Sequence, residues 1–311
     1  MARFGADGAT ALGLAQTAAT LPTDGMIGAY PDLTEIEPAD REVLDPLFRT
    51  LRDGVSELSF AGIYCFRESH GYRIGRLDDG NVVVSGADKG RTFFIAPFGL
   101  PRPDLLDQLF QRFGQMKLVT EGQAEALRQA DFVVDEDRDN FDYLYPRQAL
   151  ATLAGRALQR KRNLVNHFVK RHDYQVFPLT AERTPEALAI LEEWRNDARA
   201  QADYTPARDA LVHASEFGLV GSVYHVEGQP AGYTLGEYAA GGTMFVVHYE
   251  KTIPGMKGLY QVINMDFARS RPDTCTIVNR EQDLGDPGLR QAKLTYRPSA
   301  FVRKFRARKP G

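Results

Sequence analysis

The stretch 248–293, HYEKTIPGMKGLYQVINMDFARSRPDTCTIVNREQDLGDPGLRQAK, constrains the fold more than any other part of the chain. Strict alternation over 243–251 predicts a strand with Met244, Val246, His248 and Glu250 on one face, and Phe245, Val247, Tyr249 and Lys251 on the other. Pro254, Gly255 and Gly258 then punctuate a turn into a helix over 259–270. A second strand over 274–278 follows, and the charged run Asn279, Arg280, Glu281, Gln282, Asp283 stands at its C-terminal end before a helix over 287–294. Such a strand–turn–helix–strand unit presents a helix N-terminus to the loops beyond the strand ends. There backbone N–H groups can hold an anionic or carbonyl-bearing ligand, and a glycine such as Gly258 lets it approach closely.

The rest of 146–311 supplies a sheet for that unit. A strand is expected over 174–179, helices over 185–199 (Leu188, Leu191, Trp194 and Ala198 inward) and 207–217, and a meander of strands over 220–226, 231–238 and 243–251. Residues 149–171, ALATLAGRALQRKRNLVNHFVKR, read as one long helix. At about 100° per residue, Leu158, Val165, Phe168, Val169 and His172 share one face, while Arg156, Arg160, His167, Lys170 and Arg171 form a basic ridge opposite. Lys161 falls on the apolar side, where it either snorkels past the core edge or reaches into a cleft. The tail 296–311, YRPSAFVRKFRARKPG, is strand-like and has no acid.

Residues 24–145 read as a mixed α/β domain. A helix opens at Glu37-Pro38-Ala39-Asp40, strands are expected over 60–67, 72–77, 81–85, 92–96 and 116–120, and helices over 103–113 and 124–130. This half carries no nucleophile motif, metal spacing or phosphate loop and reads as a scaffold. Residues 1–23 read as a flexible leader. The chain's 311 residues favour two domains, and its 43% apolar and 25% charged composition is that of a globular protein. No apolar run reaches the roughly 20 residues that would span a bilayer. Cys65 and Cys275, far apart and outside any CxxC, point to reduced thiols and a cytoplasmic setting. The six histidines have no HxH or HxxxH spacing, so no metal is assigned.

Charge is distributed unevenly. Residues 1–145 hold 14 Lys and Arg against 24 Asp and Glu, whereas residues 146–311 hold 24 against 17. An acidic first half and a basic second half suggest a polyanion as partner of the second, although charge on a solvated surface needs no partner. Unbroken positive charge along the 149–171 ridge is what a phosphate backbone favours.

The segments KRNLVNHF at 161–168, HYEK at 248–251, GLYQVIN at 258–264 and NREQDLGDPGLRQAKLTYRP at 279–298 together resemble the C-terminal catalytic domain of bacterial phosphatidylglycerol lysyltransferases. The likeness is greatest to the stand-alone relatives of that domain and covers roughly residues 24–305. The resemblance implies an α/β (α+β) fold of two tandem GNAT-like acyltransferase domains, each a mixed, mostly antiparallel sheet flanked by helices, at 24–145 and 146–311. It also implies transfer of an aminoacyl group from aminoacyl-tRNA to a small-molecule, peptide or lipid acceptor, with no tightly bound cofactor. Two departures matter. The usual Q/RxxGxG/A acyl-CoA loop is only approximated by 251–258, and the multi-span membrane portion of the lipid-modifying enzymes has no counterpart in the sequence.

Such chemistry needs a base, oxyanion donors and a positive clamp. Glu281 or Asp283 is the candidate base or ammonium anchor, with Glu250 as a second carboxylate. His248 pairs with Glu250 at the end of its strand. Backbone N–H groups near Gly258, together with Asn279, are the oxyanion candidates. Lys161, Arg162, Arg280 and Lys293 are clamp candidates, His248, Lys257 and Gly258 complete the substrate- and phosphate-binding set, and Tyr296 would protonate the leaving group. Each carboxylate could instead be a salt-bridge partner of Arg280, Arg290 or Lys293. Two other functions fit the same pattern: an acyl-CoA-dependent N-acyltransferase and a non-catalytic RNA- or protein-binding module.

Overall fold

The computed structural model describes residues 27–195 and 201–311. The leader expected over 1–23, and the end of the helix expected over 185–199 with Ala198, lie outside the described residues. Two mixed sheets form the frame. The six-stranded sheet runs Arg73–Arg76, Val82–Asp88, Arg91–Ile95, Gln115–Val119, Phe305–Arg308, Val133–Glu136. The seven-stranded sheet runs Ala300–Val302, Asp142–Pro146, Ile277–Asn279, Met244–Thr252, Gln229–Ala239, Val220–Val226, Tyr174–Pro178. The strand-like tail thus splits into two strands, one in each sheet.

Local chemistry explains many of the elements. Thr120 and Gln123 form a capping box that starts the Glu121–Gln129 helix. Pro103 sits in the first turn of Pro103–Phe113, and Pro287 does the same for Pro287–Leu294, where the Asp286 carboxylate accepts from Leu289 N at 2.6 Å. The strand expected over 60–67 is helical instead, Phe60–Cys65 followed by Arg67–His70. The Ser59 hydroxyl accepts from Gly62 N at 2.9 Å, and that cap overrides the β preference of FAGIYC. The single helix expected over 149–171 is two, Arg147–Thr152 and Gln159–Val169. Leu153 (φ 48°) and Gly155 (φ 83°) turn left-handed between them, and Arg162 Nη1 donates to the Leu153 carbonyl at 2.6 Å.

One core fills the space between the sheets. It joins Ile74, Val84 and Phe93 of the first sheet to Val223, Leu235 and Tyr249 of the second. A second core, with Phe168, Phe245, Val247, Leu259 and Tyr296, lies on the far face of the second sheet. Phe245 and Val247 therefore face one way and Tyr249 the other. The cause is a register shift between Val247 and Tyr249 where Met244–Thr252 pairs with Gln229–Ala239. No helix among the described residues is long and apolar enough to cross a membrane.

Candidate active site

Met244–Thr252 and Ile277–Asn279 are parallel neighbours, in register from Met244 opposite Ile277 to Val246 opposite Asn279. Beyond that point the first strand runs on to Thr252 while the second ends, and the two part. His248 and Glu250 on one arm, and Arg280 and Glu281 on the other, stand where they diverge. A crevice past the C-terminal ends of parallel strands is a common place for a ligand.

The bulge sends these residues to two sides of the sheet. On the side facing the first half, His248 Nδ1 lies 2.7 Å from Glu281 Oε1, and Nε2 lies 2.9 Å from Glu237 Oε1. Burial alone would lower the pKa of this imidazole, but hydrogen bonds to Glu237 and Glu281 push it up to about 10. His248 and Glu281 line a cavity of about 30 Å³ together with Ser56, Glu57 and Gln282. Ser56 and Glu237 also line a second hollow of about 280 Å³, between residues 45–59 and the 237–246 strands. His248 therefore stands as a cation between two carboxylates, each bordering a different hollow.

On the opposite side Glu250 Oε2 accepts from Arg280 Nη2 at 2.7 Å. Asn264, its amide turned so that the oxygen faces the guanidinium, accepts from Arg280 Nε at 3.1 Å. Tyr296 is buried, with the Arg280 guanidinium 5.0 Å and the Lys161 ammonium 4.3 Å from its ring centre. Lys161 thus points into the fold, and burial and Arg280 lower its pKa. Lys293 donates to the carbonyls of Arg280 and Glu281, and its burial beside Arg280 brings its pKa down to about 8. Glu250 and His248 do not form a pair: the bulge sets them on opposite faces, contrary to strict alternation.

Several candidates have structural work that removes them from the roles first expected. Asp283 is fully buried, accepting from Tyr143 OH at 2.6 Å, Arg290 Nε at 2.9 Å and Gly285 N at 2.9 Å. Burial would raise its pKa, but these donors, Arg290 foremost, bring it to about 2, so it is a poor base. Asn279 is also fully buried. Its Nδ2 donates to the Gly54 carbonyl at 3.0 Å and Asp142 Oδ2 at 3.1 Å, which leaves no donor for an oxyanion. Arg162 Nη1 donates to the Leu153 and Gly155 carbonyls, which ties part of that guanidinium to the turn. The turn at Gly258 is closed as well: a Cβ there would sit 2.8 Å from the Leu164 carbonyl, and Leu259 N and Gln261 N bond to Met256 O and Gly258 O. Lys257 is exposed beside it.

Sequence reasoning passed over Ser56, Glu57, Glu237 and Lys304. Lys304 and Asp142 are both fully buried and lie 2.7 Å apart, and Lys304 also bonds to Glu57. A lysine in a basic tail carries no sign that its carboxylates lie far away in the chain. Glu281 itself has φ 55°, a left-handed backbone that non-glycine residues adopt mainly where surroundings impose it. Among the described residues, no group of three or more His, Cys, Asp or Glu could hold a metal ion.

Residues 48–308 match the family described as phosphatidylglycerol lysyltransferase, C-terminal. A conserved protein of unknown function from Bacteroides thetaiotaomicron VPI-5482 is 29% identical, with a TM-score of 0.81 over 89% of this chain and 99% of that one. The C-terminal domain of a putative lysylphosphatidylglycerol synthetase from Agrobacterium fabrum shares the fold, with a TM-score of 0.63 at 11% identity over 88% and 93% of the two chains. An uncharacterised protein of Mycoplasmoides gallisepticum is 24% identical over 185 residues, which is 56% of this chain and 57% of that protein's length. The two mixed sheets flanked by helices are the tandem GNAT-like acyltransferase arrangement.

Proposed function

The chain belongs to the phosphatidylglycerol lysyltransferase C-terminal family, a family of transferases, and from that premise we propose that it moves an aminoacyl group from aminoacyl-tRNA to an amine or hydroxyl acceptor. The observation that carries this reading is the crevice at the parting strands, where Glu281 borders a cavity and is held by a cationic His248. In the proposed step the acceptor's nucleophile attacks the ester carbonyl carbon. A C–N or C–O bond forms as the C–O bond to the terminal ribose of the donor breaks. Glu281 takes the proton from the nucleophile, and that proton returns to the leaving ribose oxygen. With a pKa of about 10, His248 stays protonated near neutrality, so its part is to orient Glu281 and Glu237. The bulged backbone at 248, left out of regular pairing, is the candidate donor to the oxyanion.

Within this reading, residues 146–311 carry most of the chemistry. Residues 24–145 support them and contribute Ser56 and Glu57 to the cavity wall. Arg156, Arg160, Lys170, Arg171 and Lys257 are exposed, which suits a phosphate backbone. An acyl-CoA donor draws less support, because the turn at Gly258 has little backbone left to cradle a pyrophosphate.

The test is a binding screen of the purified chain at low salt against charged tRNA, uncharged tRNA and acetyl-CoA. Charged tRNA is expected to bind with a steep salt dependence. Absence of tRNA binding at low salt overturns the proposal, and binding of acetyl-CoA alone would favour the acyl-CoA reading.

A further inference from the structure

A buried ion pair is a weak device for stability, since desolvation offsets much of its attraction, and a well-packed apolar pair often serves as well. Lys304 and Asp142 are fully buried and sit at the seam between the two sheets, beside the cavity. Their value therefore lies in what they hold in place. Lys304 Nζ bonds to Glu57, which lines the cavity, and to Asp142 Oδ1 at 2.7 Å. Asp142 also accepts from Ser56 N at 2.9 Å and from Asn279 Nδ2 at 3.1 Å. With its amide fixed in that orientation, Asn279 presents Oδ1 to Glu281 N at 2.8 Å. That bond holds Glu281 in its left-handed backbone, φ 55°, with its carboxylate against His248.

We propose that Lys304 is a positioning residue for the cavity, holding Glu57 directly and Glu281 through Asp142 and Asn279. Residues of the tail that follow Ala300–Val302 thereby set the geometry of a carboxylate on the other side of the sheet seam. The inference deepens the reading of this crevice as the reactive site. Its test reads the imidazole rather than turnover, so either can fail without the other.

The experiment is an NMR titration of the full chain with isotope-labelled histidine, the His248 signal being assigned by its loss in His248→Gln. Groups charged around His248 are Glu237 and Glu281 in direct contact and Glu57 across the cavity. Glu281→Gln calibrates the loss of one of the carboxylates. In Lys304→Met and Asn279→Ala the His248 midpoint is expected to fall by at least about one pH unit, a tenfold loss in proton affinity, as Glu281 swings away. The direction is diagnostic. Deleting the ammonium charge, or leaving Asp142 unpaired, would by itself raise the midpoint, and Asn279→Ala changes no charge. If Lys304→Met does not fold, Asn279→Ala carries the test. Midpoints unchanged or raised in the folded variants, with Glu281→Gln lowering its own, would overturn the proposal. Transfer assays run alongside report on the function separately: a fully active Glu281→Gln removes the proposed chemistry and leaves the positioning result standing.

Discussion

His248 and Glu250, two residues apart on one strand, face opposite sides of their sheet. His248 meets Glu237 and Glu281 toward the first half, and Glu250 meets Arg280 beneath the outer helices. The bulge between Val247 and Tyr249 makes this possible. It divides the polar residues at the strand end into a cavity-lining set and a buried, bracing set, and the two should respond differently to substitution.

For the cavity-lining set, Glu281→Gln should lower single-turnover transfer by about 10²–10⁴-fold, the usual worth of a positioned acid–base group. Its melting temperature should stay within a few degrees of the parent. A large drop in melting temperature with transfer intact would instead mark Glu281 as a structural partner of His248.

The same imidazolium makes stability depend on pH. The folded-state pKa of about 10 lies above the ordinary histidine value of about 6.5. Its contribution is therefore complete below about pH 6.5 and disappears as pH rises through 10. Urea unfolding of the parent and of His248→Gln across this range should show the gap between them narrowing with rising pH. A gap that widens would contradict the charge state assigned to His248.

In the bracing set, Arg280→Met strands the Glu250 carboxylate under the helices without its partner. Leaving a buried charge uncompensated costs about 3–5 kcal/mol. Replacing both at once, as Arg280→Met with Glu250→Leu, should recover most of that loss. Chemical denaturation of the two single variants and the double variant measures the coupling.

Gly258→Ala tests the closed turn. The new Cβ would lie 2.8 Å from the Leu164 carbonyl at a backbone of φ 102°. A loss of about 1–3 kcal/mol is expected from the strain alone, read as a lower urea midpoint. If the turn held a donor by its backbone, binding would suffer far more than stability.

Much of this was legible in the residues. The parallel pair, its crossover helix and the charged run 279–283 could be read because alternation, glycine punctuation and charge lie within one short window. The bulge could not, since one extra residue in a strand leaves no trace in the composition around it. The break at 153–158 was hidden because ALATLAGRALQRKRN is rich in helix formers, and Arg162 stabilises the turn from the following helix. Asp283 and Glu281 look alike in sequence. Only the three-dimensional arrangement distinguishes a carboxylate surrounded by Arg290, Tyr143 and Gly285 from one that borders a cavity. Lys304 was invisible for the same reason, its partners Glu57 and Asp142 being remote in the chain.

The strand Phe305–Arg308 lies in the interior of the first sheet, between Gln115–Val119 and Val133–Glu136. Both flanking strands precede every strand of the second sheet in the chain, and the strand that belongs between them follows all of it. The first sheet keeps an open slot until that last strand is placed, so it cannot be completed without the end of the other half. A chain shortened after residue 302 would keep every strand of the second sheet and lack an inner strand of the first.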